Sequence, residues 1–217
     1  MDWSKLTSKA YDKVYYDEHR KAGLDYLGYG NWQIAYARWL TDCLKWSCIL
    51  DVGCACGSIA NGFYENGVNA VGIDINQHMI KLGREAWPNL MLHVCDATNL
   101  HLFDDESFDG IHCAQVAEHW KPRLVPYILE ELHRVSKENA VFFCCMDTEE
   151  LYQRQNRKPE TEDPTHYCIK PLEWWHNILQ VTGWSVETGK YIEVLKNHRL
   201  SYLKHYDWDY VVCRKLS

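Results

Sequence analysis

Nowhere in this chain of 217 residues is there a run of about 18 apolar residues, the minimum for a membrane-spanning helix, so no membrane span is expected. The opening residues Met1-Asp2-Trp3-Ser4-Lys5 lack the apolar core of a secretion signal, and a cytoplasmic location follows as the expectation. Ten cysteines include no C-x-x-C pair, so spacing offers zinc no ligand set and no metal is expected. The cysteines are scattered. Several (Cys48, Cys113, Cys144, Cys145, Cys213) fall in apolar segments where a free thiol behaves as a small buried hydrophobe, which argues against a disulfide scaffold. Cys54 and Cys56 read mainly as packing residues, with enough exposure to react with oxidants or thiol reagents. A dense basic tract is missing as well. The formal net charge is −7 and Lys and Arg are dispersed, so a nucleic-acid partner is not expected. Without basic interleaving, ten tryptophans and fourteen tyrosines read as core or as walls of a small-molecule pocket. Internal repeats and low-complexity segments are absent too.

What is present is an ordinary globular balance, 47% hydrophobic and 24% charged, in a chain long enough for one sizeable α/β domain. The richest segment is Ile49-Leu50-Asp51-Val52-Gly53-Cys54-Ala55-Cys56-Gly57. A buried strand runs into a tight turn and then into a helix starting near Ser58, the first unit of a nucleotide-binding sheet. Gly53 and Gly57 lack a Cβ, which permits backbone angles and a ligand approach that other residues resist. A dinucleotide fingerprint requires G-x-G-x-x-G. Here Ala55 stands at the middle glycine and Ser58 follows Gly57. Asp51 would repel a pyrophosphate and suits a cationic ligand group instead.

Three further segments follow in order. Asn69 to Asp74, then Ile75, is a second apolar strand closing on an acid, twenty-three residues after Asp51. A ribose-binding carboxylate is expected about 20 residues past a glycine turn. His93-Val94-Cys95-Asp96-Ala97 closes a short apolar stretch. Phe108-Asp109-Gly110-Ile111-His112-Cys113-Ala114-Gln115-Val116-Ala117-Glu118-His119 is a fourth strand with its loop. Together these motifs resemble those of the class I S-adenosylmethionine-dependent methyltransferases over about residues 45 to 147. The resemblance implies a Rossmann-like three-layer α/β sandwich, with seven strands in the order 3-2-1-4-5-7-6 and the seventh antiparallel. It implies S-adenosyl-L-methionine as cofactor and S-adenosyl-L-homocysteine as product. Asp51 would lie near the methionine ammonium against the turn of Gly53, Ala55 and Gly57. Asp74, with Ile75 beside it, would take both ribose hydroxyls. Asp96-Ala97 would bind the adenine amino group, and Gln115 would sit near the methionine moiety. Two departures are mild. Ala55 replaces a commoner glycine, and Ser136-Lys137-Glu138-Asn139 replaces Pro-Gly-Gly, with Asn139 able to adopt the left-handed conformation.

The chain is expected to form one methyltransferase domain over 1–217, with an N-terminal helical lid over 1–46 and a core over 47–217. Core elements are expected at 47–53, 69–75, 90–95, 108–114 and 140–147 (strands) and at 57–66, 77–86 and 123–136 (helices). The polar stretch 148–170 reads as a loop insertion, equally a cover for the substrate or a surface excursion. A helix over Leu172–Val181 and strands over Trp184–Val186 and Tyr206–Arg214 complete the chain. In the first helical region Tyr11, Tyr15 and His19 share one face, and Tyr16 lies beside them. These four are candidate substrate or lid residues, as are Trp120 and His166. In-line methyl transfer to oxygen or nitrogen requires alignment and removal of a proton. Glu118-His119, in the loop after strand four, is the best-placed pair, and His119 is the candidate base. Packing or helix capping is an equal alternative for His119. His112, inside a strand, reads as structural. A small-molecule acceptor is the leading expectation. A protein or nucleic-acid methyltransferase and a non-catalytic cofactor-binding protein are the competing readings. The oligomeric state and the acceptor are left open.

Overall fold

The structure, a computed structural model, describes residues 32–158, 163–204 and 207–216. Its centre follows from strand composition. In β1 (Cys48–Val52), Ile49, Leu50 and Val52 are all buried, as a parallel strand covered on both faces requires. β2 (Asn69–Asp74) and β3 (Met91–Val94) pair parallel on one side of β1, and β4 (Phe108–Ala114) and β5 (Ser136–Met146) extend the sheet on the other. β7 (Asp209–Lys215) runs antiparallel to β5 and to the edge strand β6 (Trp184–Val186). The order is β3-β2-β1-β4-β5-β7-β6, as the resemblance implied.

Helices cover both faces. α1 (Trp32–Leu44) buries Tyr36, Trp39, Leu40, Cys43 and Leu44, one stripe at 3.6-residue spacing. It packs with α2 (Ser58–Glu65) over the sheet face that carries Ile49, Phe143 and Val212. α3 (Gln77–Ala86) starts at Asn76, whose side chain accepts the Met79 amide at 3.0 Å, and buries Ile80 on this same side. α4 (Val125–Val135) and α6 (Leu172–Val181) cover the opposite face, where Leu50, Val52, Phe142, Trp175 and Trp184 form the second core. Alternation along β5 divides its side chains between the two cores: Val141, Phe143 and Cys145 face one, and Phe142, Cys144 and Met146 the other.

Four segments differ from the sequence-based boundaries. β5 begins at Ser136, not Ala140. Phe108 pairs with Ser136 but Gly110 with Val141, so β5 bulges, and Asn139 sits in that bulge at φ 63°. The 148–170 stretch opens with a short helix, α5 (Glu149–Arg154), capped where the Thr148 hydroxyl accepts the Leu151 amide. An unexpected helix, α7 (Lys190–Asn197), precedes β7 and buries Leu195 against α1, where the Trp39 indole donates to the Leu195 carbonyl at 3.1 Å. β7 starts at Asp209, three residues later than expected. Among the described residues, no helix is long and apolar enough to cross a membrane.

Candidate functional site

The carboxyl ends of β1, β2 and β4 and the loops that follow them line a cavity of about 610 Å³, the place where open α/β sheets bind ligands. Asp51, Gly53, Ala55, Asp74, Ile75, Asp96, Ala97, Gln115, His119 and Trp120 all line it. Gly57 lies behind the turn at φ 84°, where a Cβ would come within 2.7 Å of Leu92. Gly53 has φ 68°, and a Cβ there would press to 2.5 Å from Val116. Both turn glycines are therefore required by conformation, and Gly53 by space as well. Ala55 adopts φ 50° despite its methyl group, as Gln115 does at φ 55°. Two strained residues thus border the same cavity.

Asp51 and Asp74 are held differently. Register pairs Asp51 with His112 across β1 and β4. Their side chains meet at 2.6 Å, His112 Nδ1 to Asp51 Oδ1. On the far side of the ring, the Tyr36 hydroxyl lies 3.1 Å from Nε2. Burial raises the Tyr36 pKa well above the ordinary phenol value, so it keeps its proton and donates to Nε2. His112 then carries its proton on Nδ1 and donates to Asp51. The other carboxylate oxygen, Asp51 Oδ2, is buried and has no hydrogen-bond partner. Asp74 accepts the amides of Ala55 (Oδ2, 2.8 Å) and Asn76 (Oδ1, 2.8 Å). Burial still pushes its pKa up to about 6, against the lowering effect of those amides. Asp96 is fixed by Thr98, whose amide (2.9 Å) and hydroxyl (2.8 Å) both donate to Oδ1.

The loop after β4 makes one turn of 3₁₀ helix, Ala117–His119. His119 faces the cavity while its neighbour Glu118 points into the protein and is buried. Burial raises the Glu118 pKa well above the usual carboxylate value. Thr165 Oγ1 lies 2.9 Å from His119 Nδ1 and donates to Asp163 Oδ1 at 2.5 Å. The Thr165 hydroxyl proton is engaged with Asp163, so Thr165 accepts from His119 Nδ1–H, and the imidazole lone pair lies on Nε2. His166 does not line the cavity but abuts His119, with ring centroids 4.6 Å apart. Trp120 packs edge-on against Trp175. Tyr11, Tyr15, Tyr16 and His19 lie outside the described residues.

Sequence reasoning missed Trp32, Tyr36, His112 and Trp208 as cavity walls. Tyr36 and His112 reach the site only through the pairing of β4 with β1 and the packing of α1. Cys54 and Cys56 are buried rather than exposed, which corrects the expectation of reactivity there.

Residues 49–139 match a family model described as a methyltransferase domain. No curated protein sequence matches the chain. Among solved structures, the chain is similar to a protein from Pyrococcus horikoshii OT3 (20% identity, TM-score 0.63, covering 82% of this chain and 86% of that one). It is also similar to a SAM-dependent methyltransferase from Archaeoglobus fulgidus (19% identity, TM-score 0.61, 84% and 94%). A third is an N-methyltransferase from Haemonchus contortus, seen with phosphomonomethylethanolamine and S-adenosylhomocysteine (17% identity, TM-score 0.54, 79% and 49%). At these identities the likeness is one of fold.

Proposed function

We propose that the chain is a class I S-adenosylmethionine-dependent methyltransferase, a reading supported by the methyltransferase-domain match over residues 49–139 and by the shared fold, and that it methylates an oxygen or nitrogen of a small molecule. Bound S-adenosylmethionine supplies an electrophilic methyl group: the acceptor's lone pair forms the new bond to carbon, and the carbon–sulfur pair stays on sulfur. The observation that carries the reading is Asp51 Oδ2, a buried carboxylate oxygen without a partner at the cavity wall. A buried carboxylate oxygen without a partner is costly, and an ammonium group would satisfy it. Asp74, turned toward the cavity by two amides, keeps lone pairs for ribose hydroxyls. The Asp96-Ala97 pair, set by the Thr98 turn, suits the adenine end.

A small acceptor is favoured by a cavity walled by the aromatic side chains Trp32, Tyr36, Trp120 and Trp208 and by the net charge of −7. With its lone pair on Nε2, His119 is able to take the acceptor's proton. Gln115, which lines the same cavity directly after β4, is assigned to the methionine moiety.

Calorimetric titration with S-adenosylmethionine and with S-adenosylhomocysteine is the first test. One-to-one binding of both, lost in Asp74→Ala, is expected. No binding of either ligand overturns the reading. Labelled methyl donor is then offered with the small-molecule fraction of an extract and, separately, with its proteins and nucleic acids. Label appearing only in the macromolecules overturns the small-molecule acceptor.

A further inference from the structure

Behind the cavity wall the fold gathers three side chains that the sequence keeps apart. One oxygen of Glu118 and one ring nitrogen each of His119 and His166 lie within 4.8 Å of one another. The two imidazoles meet edge to face at 76°, not stacked. Glu118 is 1% exposed, and its Oε2 has no hydrogen-bond partner. A buried carboxylate oxygen without a partner is unfavourable, the more so when charged. Arg157, the nearby cation, pairs with Asp147 at 2.8 Å and reaches the Tyr152 hydroxyl at 3.4 Å.

Each ring has a hydrogen-bond partner at Nδ1, an anchor of the kind that fixes tautomer and orientation in metal-binding imidazoles. For His119 the anchor is Thr165, itself held by Asp163. For His166 it is the Tyr152 hydroxyl, 2.8 Å from Nδ1, with Asp147 Oδ2 at 3.8 Å favouring the proton on that same nitrogen. Two imidazoles and one carboxylate suit zinc and its first-row neighbours, and three protein ligands leave coordination positions open.

We infer that Glu118, His119 and His166 bind a divalent transition-metal ion beside the cavity, with open positions available to an oxygen of the methyl acceptor. The acceptor part of this inference rests on the methyltransferase reading; the site itself rests on the three side chains. With the ion bound, His119 acts as its ligand and not as the base it is proposed to be in the metal-free protein. An acceptor hydroxyl drawn to the cation loses its proton to solvent more readily than it would unaided.

The test uses the whole chain, stripped with a chelator and titrated by calorimetry with Zn²⁺ or Co²⁺ alone. One-to-one binding is expected, with Co²⁺ visible bands of nitrogen and oxygen ligation and no thiolate charge-transfer band. Glu118→Gln and His166→Ala should each weaken binding by at least about 10-fold, and Thr165→Val by about 10-fold through the anchor. Circular dichroism and melting of the metal-free variants check the fold, and a variant that fails this check leaves the other two to decide. Absence of stoichiometric binding, unchanged affinity in the folded variants, or a sulfur charge-transfer band overturns the site. Titration of the unmodified, metal-free protein with S-adenosylhomocysteine keeps the two readings separate. Cofactor binding without metal binding defeats the metal site alone, and metal binding without cofactor binding defeats the methyltransferase reading alone.

Discussion

Asp51 Oδ1 and His112 Nδ1 lie 2.6 Å apart, and this contact leaves the other oxygen of Asp51 bare at the cavity wall. The pair is buried, and its third member, Tyr36, holds the histidine tautomer from the far side. His112 is thus a positioning residue for the carboxylate assigned to the cofactor's ammonium. His112→Phe keeps the ring that stacks near Phe143 but leaves Asp51 Oδ1 without a donor. Loss of a hydrogen bond to a charged group costs about 1.5–3 kcal/mol, so S-adenosylhomocysteine affinity should fall by up to roughly 10- to 150-fold. Tyr36→Phe removes only the outer donor and should cost about 1 kcal/mol, roughly 5-fold. Calorimetric titration of both variants checks this, and unchanged affinity in His112→Phe would show that Asp51 needs no such support.

Asp74 gives the protein a pH signature. Folded, its carboxyl titrates at about 6 because burial disfavours the charged form. Unfolded, it titrates near about 3.9. Between those values the native state binds the extra proton. Stability contributed by this group is therefore full below about pH 4, falls as pH rises to about 6, and is level above; the loss is on the order of 3 kcal/mol. Melting temperature of the ligand-free protein, followed from pH 4 to 7.5, should decline less in Asp74→Asn than in the parent. Ribose hydroxyls donate to the ionised carboxylate, so cofactor affinity should rise with pH through the same window. A parent and variant with the same pH profile would remove Asp74 as the source.

Gly53 carries two constraints at once, a φ of 68° and a Cβ position 2.5 Å from Val116. Ala55 shows that this turn tolerates an alanine at positive φ where space allows. Gly53→Ala meets the backbone cost of about 1–2 kcal/mol and, in addition, displaces a residue that lines the cavity. Thermal melting should show about 2–4 kcal/mol of destabilisation by the sum of strain and overpacking. Weaker S-adenosylhomocysteine binding should accompany it, because Val116 must move. A variant as stable as the parent would mean that the turn can relax.

What could be read from the sequence was local. Strand one and its turn, Asp51 and Asp74 are legible because an apolar run, an acid and two glycines lie within a few residues of one another. The contact of Asp51 with His112 is not, because it depends on which strand pairs with β1 and in what register. Glu118 and His166 are brought together only when the segment after β5 folds back and the Cys168 amide bonds the Glu118 carbonyl at 2.8 Å. Helix α7 was missed because Tyr191, Ile192, Val194 and Leu195 suit a strand as well as a helix. Packing of Leu195 under Trp39 decides between them. At the start of β5, Ser136 to Asn139 reads as a turn by composition, and the sheet absorbs it as a bulge.

Thiol chemistry tests the burial of the cofactor turn. Of the ten cysteines, only Cys48 is not buried in the structure. Burial raises the Cys54 pKa well above the ordinary thiol value, with Asp51 and Asp74 adding to the rise, so little of the reactive thiolate forms near neutrality. Cys48 is raised too, by partial burial and by Asp109. A chromogenic disulfide reagent should therefore label about one thiol slowly in the folded protein and all ten in denaturant. Cys54 lines the cavity, so any slower second phase should be suppressed by S-adenosylhomocysteine. Peptide mapping of the labelled sites checks the assignment. Rapid labelling of Cys54 or Cys56 in the native protein would mean that the turn opens far more often than its packing implies, since a buried thiol reacts only through such openings.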